Sequence, residues 1–433
     1  LGGSGLAAAR LAGADGAEVW VTDLRTEEEL ADRLVDLPSG SRLFLGSHPD
    51  GCLEGVDLVV VSPGVPPEAP ILATAHARGI PVATEVEFAW HHREDASLVA
   101  VTGSNGKSTV TELVARILAA GGRKTAAGGN LGTAASDLVL GGGWENWVLE
   151  ISSFQAELLN SMKPKVAVFL NLSQDHLERH LDLGAYLAAK QRLFAFQGAD
   201  DVAILNADDP EVAATVTAAR KRSFSTTGPT DAFLDGDVLV LDGRPLINSS
   251  EVRLSGIHNL ANALAAILAA DALGTSTGAI VSTLQRFEGL QHRHRTVHTA
   301  AGVRWVDDSK ATNVGATLAA LKGYPDTSVH LILGGQAKGQ DFSPLIEEVE
   351  RTVARLYLIG EDGPAIADVL AGSAPMDLSR TLEAAVRRAR EEATEGQWVL
   401  LAPACASFDQ FANYGERGDR FSALAGEEVA SCP

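Results

Sequence analysis

Between the apolar run Val99-Ala100-Val101 and a segment with apolar residues at Val110, Leu113, Val114, Ile117 and Leu118 lies Thr102-Gly103-Ser104-Asn105-Gly106-Lys107-Ser108-Thr109. The run reads as a buried strand and the later spacing as one face of an amphipathic helix, with the glycines making the turn between them. Small residues let backbone N–H groups approach an anion, a helix N-terminus favours negative charge, and Lys107 adds a point charge. Ser108 stands where a hydroxyl would ligate Mg²⁺. Val101 occupies a position that is glycine in the general phosphate-loop pattern, so this is a compact variant. Gly103, Asn105, Gly106, Lys107, Ser108 and Thr109 are therefore the candidate set for the phosphates of a nucleoside triphosphate.

A chain of 433 residues predicts two or three domains, each large enough to bury a core. Hydrophobic residues at 45% against 21% charged describe an ordered globular protein. The net charge of −21 argues against nucleic acid, while a few cations in a cleft can still dominate locally and hold small anions. Cys52, Cys405 and Cys432 form no metal-ligand spacing and fit the reduced thiols of a cytoplasmic enzyme. No segment reads as a signal peptide or as a membrane span. The opening, Leu1-Gly2-Gly3-Ser4-Gly5, reads as a turn of the kind that follows a strand, so a first strand is expected to be missing from the sequence.

Three blocks follow one another, and the expected fold is α/β with three domains, each a mainly parallel sheet flanked by helices. The first block, residues 1–88, has glycines before a helical pattern and then a strand, Val19–Asp23, ending in an acid. That is the outline of a Rossmann-like nucleotide-binding unit. Another strand, Leu58–Val61, ends at Ser62-Pro63-Gly64-Val65-Pro66-Pro67. The second block, 89–289, holds the phosphate loop and strands Leu98–Thr102, Trp147–Ile151, Val166–Leu170 and Val202–Leu205, each ending in polar residues. In parallel sheets ligands bind outside the carboxyl ends of strands, so these groups should converge. Gly128–Gly132 reads as a second glycine-rich loop. The third block, 290–433, alternates again, with strands at Val303–Val306, His330–Leu333, Leu356–Ile359 and Trp398–Leu401.

Three further motifs carry a resemblance: Glu150-Ile151-Ser152-Ser153-Phe154-Gln155, Asp308-Ser309-Lys310-Ala311-Thr312-Asn313 and Ser407-Phe408-Asp409-Gln410-Phe411. With the phosphate loop they resemble the Mur ligases, the amide-forming enzymes of peptidoglycan precursor synthesis, and most closely the D-glutamate-adding branch. The resemblance runs from Leu1 to the C-terminus, in order and with similar spacing. It implies ATP-dependent addition of D-glutamate to UDP-N-acetylmuramoyl-L-alanine through an acyl phosphate, by a cytoplasmic monomer with no membrane or nucleic-acid partner.

The same resemblance implies residue roles. Lys107 would hold the β- and γ-phosphates, Ser108 and Glu150 one Mg²⁺, and His176 a second. Lys190 would be carbamylated and serve as an anionic Mg²⁺ ligand; on local sequence alone it is a surface lysine. Asn259 and Asp308 match the groups at the adenine and ribose ends of ATP, and Lys310, on the Asp308 loop, would meet phosphate. Arg293 resembles the arginine that faces the γ-phosphate and the incoming amino acid. Thr312, Lys338, Ser407 and Tyr414 match the D-glutamate pocket, where hydroxyls and a cation bind carboxylates. Tyr414 stands where the family often has Phe, and Ala402 where it often has Ser. Ser4, Asp23, Arg25, Ser62, Gly64 and Asn130 match positions around the UDP moiety, Asp23 towards uracil or ribose and Ser4 towards the diphosphate.

Other readings leave more unexplained. A folylpolyglutamate synthetase or another Mur ligase shares the ATP motifs but not the C-terminal ones. A dinucleotide-dependent dehydrogenase gives the phosphate loop, Glu150 and the third block no role. A non-catalytic ATP-binding scaffold would not need Lys107, Glu150, His176 and Lys190 together.

Overall fold

The computed structural model describes residues 1–427 apart from Glu94, Leu131, His176, Leu181 and Ser255. The chain forms two compact units. The first takes in Leu1–Leu172, the stretch ending at Ser249, and Ala261–Gln285; the second takes in Ser173–Asp175, Ser250–Leu260 and the chain from Arg286 onward. The first sequence block and most of the second fall in the first unit, while Ser173–Asp175, Ser250–Leu260 and the last residues of the second block go with the third.

The first unit opens with the helix Gly3–Ala14, which buries Leu6, Ala7, Ala8, Ala9 and Leu11. Two small parallel sheets follow, β1 (Trp20–Asp23) with β2 (Arg42–Leu45), and β3 (Val59–Val61) with β4 (Val82–Thr84). The main sheet contains β5 (Ser97–Thr102), β6 (Thr125–Gly129), β7 (Asn146–Glu150), β8 (Val166–Phe169) and β9 (Val202–Asn206). It continues through β10 (Arg220–Ser225), β11 (Ala232–Asp235), β12 (Val238–Leu241) and β13 (Arg244–Asn248). Their order is β13-β12-β11-β10-β9-β8-β5-β7-β6. Pairing is parallel from β6 to β11 and antiparallel only at β11–β12 and β12–β13.

That order has a functional consequence. After β5 the chain moves to β6 on one side, whereas β8 leads to β9 on the other, so β5 and β8 flank a topological switch point. The crevice at such a point is where open α/β sheets take ligands. The strands are apolar on both faces because both are covered: Leu98, Ala100, Trp147, Leu149, Ala167 and Phe169 pack in one cluster, while the alternating Val99, Val101, Val148 and Val168 are also fully buried.

In the second unit the strands are β14 (Arg295–Ala300), β15 (Val303–Asp307), β16 (Val329–Gly334), β17 (Val353–Ile359), β18 (Met376–Arg380) and β19 (Trp398–Leu401). They lie in the order β14-β15-β19-β16-β17-β18, and only β14 is antiparallel. Leu331 and Leu333 face one apolar cluster and Ile332 the other, the two-residue period of a strand covered on both faces. The carboxyl ends of β15, β19 and β16 are thus neighbours. Each expected strand forms, within a residue or a few of its expected ends, while β2, β4, β6, β10 to β14 and β18 come in addition. Among the described residues no helix is long and apolar enough to cross a membrane.

Candidate functional site

In the first unit the phosphate loop joins β5 to the helix Lys107–Ala120. Gly106 caps that helix with φ of +84°, and a Cβ there would stand 2.3 Å from Asn262 Oδ1. Only glycine fits both the conformation and the space. Asn171, beyond the end of β8, supports the other side of the loop: its Oδ1 accepts from the Asn105 amide at 2.8 Å, and its carbonyl accepts from the Ser104 amide at 3.0 Å. The Lys107 ammonium lies over the loop and donates to the Gly103 and Ser104 carbonyls at 2.9 and 2.8 Å.

Two of the expected Mg²⁺ ligands, Ser108 and Glu150, meet. Ser108 Oγ donates to Glu150 Oε2 at 2.5 Å, and Asn130 Nδ2 donates to Oε1 at 2.7 Å. Glu150, at the end of β7, is only 3% exposed. This compact set of oxygen donors beneath a phosphate loop suits a hard cation such as Mg²⁺. Lys190 is not a surface residue: it is 1% exposed, its Nζ donates to the Gly103 carbonyl at 2.9 Å, and it lies 4.3 Å above the Tyr186 ring. His176 lies outside the described residues. Among the described residues no group of three or more His, Cys, Asp and Glu gathers to hold a metal ion.

The residues matched to the UDP moiety also lie in this unit. Ser4 is in the first turn of the helix Gly3–Ala14, and a Cβ on neighbouring Gly5 would come within 2.9 Å of Ser62 Oγ. Asp23 and Arg25 pair at the end of β1, with Arg25 Nε and Nη2 donating to the two carboxylate oxygens at 3.1 and 2.8 Å. Gly64 sits in a turn closed by the Val65 amide donating to the Ser62 carbonyl at 3.0 Å. Asn130 lies beside Glu150.

The second unit carries the remainder at the ends of β15, β19 and β16. Asp308 continues the β15–β19 ladder, its amide donating to the Leu401 carbonyl at 2.9 Å. Lys310 places its ammonium 4.1 Å above the Tyr414 ring, and the Thr312 amide bonds back to the Lys310 carbonyl at 2.8 Å. Lys338, at φ of +54°, points its ammonium at the Phe408 ring 5.6 Å away, next to buried Ser407. Arg293 follows His292, whose Nδ1 bonds Asp307 at 2.7 Å, a bond that raises the His292 pKa against the effect of burial. Asn259 is buried at the start of the helix Ile257–Ala272. Beside it, His258 is held neutral down to about pH 4 by burial and by His294, with Asp308 opposing.

Several supporting residues were not anticipated. Asn171 and Asn262 brace the phosphate loop, and Tyr186 lies under Lys190. Arg417, 1% exposed, donates to Ser309 Oγ and to the Ser309 and Cys405 carbonyls at 3.0, 2.9 and 3.1 Å. It thereby ties the loop after β15 to the loop after β19. Asn171 lay in a polar strand end that the sequence does mark, and Tyr186 is one helical turn from Lys190; Asn262 and Arg417 depend on contacts far apart in the chain.

Comparison with known proteins adds to this geometry. Residues 1–84 match the Mur ligase MurD-like N-terminal domain, 101–270 the Mur ligase middle domain, and 292–405 the Mur ligase glutamate ligase domain. The UDP-N-acetylmuramoylalanine–D-glutamate ligase of Anaeromyxobacter dehalogenans is 43% identical, covering 98% of this chain and 96% of that protein. The enzyme of the same name from Myxococcus xanthus is 40% identical, covering 97% and 95%. Among solved structures, the MurF ligase of Thermotoga maritima in complex with ADP has a TM-score of 0.63 at 16% identity, covering 94% of this chain and 97% of that one. The UDP-N-acetylmuramate–alanine ligase of the same organism has a TM-score of 0.59 at 19% identity, covering 98% and 96%. These solved structures share the fold.

Two outcomes are expected. Gly106→Ala puts a methyl group against Asn262 and forces a left-handed φ on alanine, at a cost of about 1–3 kcal/mol; titration calorimetry should show affinity for ATP reduced at least about tenfold. His258 supplies the second. Between pH 6.5 and about 4 the unfolded chain binds a proton at this residue that the folded chain does not, so stability falls as pH falls through that window. Urea denaturation of His258→Asn across the window should give a shallower pH slope than wild type, and an unchanged slope would contradict the buried neutral state.

Proposed function

The chain belongs to the Mur ligase family, and from that premise we propose that it joins D-glutamate to UDP-N-acetylmuramoyl-L-alanine at the expense of ATP. The observation that carries the reading is the phosphate loop closing on a buried oxygen-donor set, Ser108 with Glu150, in a chain 43% identical over almost its whole length to a D-glutamate ligase. We assign the UDP-sugar to residues 1–88, ATP to 89–289 and D-glutamate to 290–433. The substrates and the cysteine content suit a cytoplasmic enzyme, which we take to act as a monomer.

The chemistry follows from a poor leaving group. A free carboxylate cannot expel oxide, so a carboxylate oxygen of the alanyl group attacks the γ-phosphorus of ATP, ADP leaves, and an acyl phosphate results. The amine of D-glutamate then attacks the carbonyl carbon. The tetrahedral intermediate expels inorganic phosphate, and the nitrogen loses a proton. Every reactant is anionic, so positioning and preorganised cations carry the rate.

Lys107 and the amides of the loop hold the transferred phosphoryl group, and Arg293 stabilises the charge that develops there. Asn259 and Asp308 bind the nucleoside end, and Lys310, from the same loop as Asp308, meets phosphate. Thr312, Lys338, Ser407 and Tyr414 hold the two carboxylates of D-glutamate, so that only one enantiomer aims its amine at the acyl carbon. Ser4, Asp23, Arg25, Ser62, Gly64 and Asn130 bind the UDP-sugar. Ser108, Glu150, His176 and a carbamate on Lys190 would hold two Mg²⁺ ions, which neutralise phosphate charge. The carbamate forms when the neutral lysine nitrogen adds to CO₂ and loses a proton. The buried, loop-facing position of Lys190 supports that role.

ADP release should require ATP, UDP-N-acetylmuramoyl-L-alanine and D-glutamate together, with any one omission abolishing it. L-glutamate should be used at least about a hundredfold less well in kcat/KM, because a pocket built of buried polar groups rejects a ligand that leaves them unpaired. Comparable use of both enantiomers would refute the assignment of the pocket. Lys190→Ala should lose nearly all activity and regain part of it in millimolar acetate or formate, either of which can replace the carbamate oxygens. Full activity in that variant without added carboxylate would remove Lys190 from the site.

A further inference from the structure

His294 has no part in the scheme above, although it follows Arg293 and adopts φ of +50°, a conformation that residues other than glycine hold only where their surroundings impose it. Its ring is enclosed. The edge-on His258 ring lies 5.1 Å away and the Tyr324 ring 5.7 Å, leaving the His294 side chain 9% exposed.

Tyr324 is the fixed point of this cluster. It is buried, its ring meets Trp398 edge-on at 5.4 Å, and its carbonyl accepts from Arg351 at 3.1 Å. Burial, and then the charge of Asp308, hold its phenol protonated well above the ordinary tyrosine range. Its hydroxyl stands 3.2 Å from His294 Nε2. A phenol that donates to Nε2 makes that nitrogen an acceptor and leaves the ring proton on Nδ1. His294 Nδ1 is buried without a hydrogen-bond partner, and 3.5 Å from it is Asp308 Oδ2. An N–H left unpaired in such surroundings is costly, and a carboxylate that turns towards it relieves the cost.

We propose that His294 is a positioning residue for the nucleotide: with its tautomer set by Tyr324, its Nδ1–H orients the Asp308 carboxylate to accept hydrogen bonds from the ribose hydroxyls of ATP. The proposal rests on the reading of Asp308 as the ribose acceptor. The Asp308 backbone is already fixed, its amide bonded to the Leu401 carbonyl at 2.9 Å and its carbonyl to the Ala311 amide at 2.8 Å. Side-chain rotation is the freedom left to the carboxylate, and His294 restricts it. One oxygen taken by the imidazole leaves the other for a ribose hydroxyl. A carboxylate so oriented distinguishes ribose from deoxyribose.

The test compares steady-state kinetics of wild type with His294→Phe, His294→Asn and Asp308→Asn, using ATP and 2′-deoxy-ATP and recording melting temperatures. His294→Phe keeps the ring contacts but removes Nδ1–H. It should raise KM for ATP about five- to tenfold, the scale of one ordinary net hydrogen bond. Its KM for D-glutamate should stay within about twofold, and its preference for ATP over 2′-deoxy-ATP should fall by the same factor as affinity for ATP. In His294→Asn the amide nitrogen takes the place of Nδ1, so that variant should recover much of the preference. If Asp308→Asn loses the preference while His294→Phe keeps it, the ribose reading stands and the positioning role falls. If Asp308→Asn changes neither KM for ATP nor the preference, the ribose reading fails and takes the proposal with it. If His294→Phe raises every KM alike and lowers the melting temperature, His294 is structural and the proposal is overturned.

Discussion

Glu150 occupies the end of a strand buried between two others, where an unpaired carboxylate would cost several kcal/mol in lost hydration. Both of its oxygens accept hydrogen bonds, from Ser108 on the phosphate-loop helix and from Asn130 on the segment after β6. The Asn130 amide also donates to the Glu150 carbonyl at 2.9 Å. One side chain therefore joins the ends of β5, β6 and β7. The phosphate loop depends on that junction, because Ser108 is the second residue of the helix that Gly106 begins. The same contacts explain why a carboxylate stands there: a neutral residue would have the two donors to satisfy but no charge to offer a cation.

In the second unit the equivalent problem has the opposite sign. Arg417 is a buried guanidinium whose surroundings, through burial above all, pull its pKa down to about 10, and it remains a cation at neutral pH. Backbone carbonyls and the Ser309 hydroxyl accept from it, at the ends of two neighbouring parallel strands. Carbonyl oxygens at such ends have no further strand to bond, so a planar donor array suits them. Nearby Cys405 has its thiol pushed up to about 12 by burial. It is a packing residue, since a thiol that stays protonated is a poor nucleophile.

How far the structure was legible in the sequence follows from where the determining contacts lie. β5, β7, β8, β16 and β19 are covered on both faces, so they appear as short continuous apolar runs, and their polar ends mark where ligands go. β11 and β13 mix polar with apolar residues, but the hairpin between β12 and β13 carried its own signal. Asp242-Gly243 joins β12 to β13 with φ of +48° and +73°, the two-residue turn that an Asp-Gly pair favours in hairpins. Lys190 looked like a surface residue because a helix of only nine residues shows little of which side is covered. Its burial is set by Tyr186 on the same helix and by Gly103, 87 residues away in the chain. Tyr324, His294 and Asp308 likewise meet only through the fold, and no local spacing announces them.

The overall charge of −21 sets the condition under which the cations work. A strongly acidic surface repels nucleotides and dicarboxylates at long range, so binding has to be won locally, within about 8–10 Å at physiological salt. Lys107 and Lys190 meet backbone carbonyls, whereas Lys190, Lys310 and Lys338 lie against the faces of Tyr186, Tyr414 and Phe408. Carbonyl dipoles and aromatic faces orient an ammonium without cancelling its formal charge. Each such contact narrows the conformations of the ammonium and so lowers the reorganisation needed when an anion arrives.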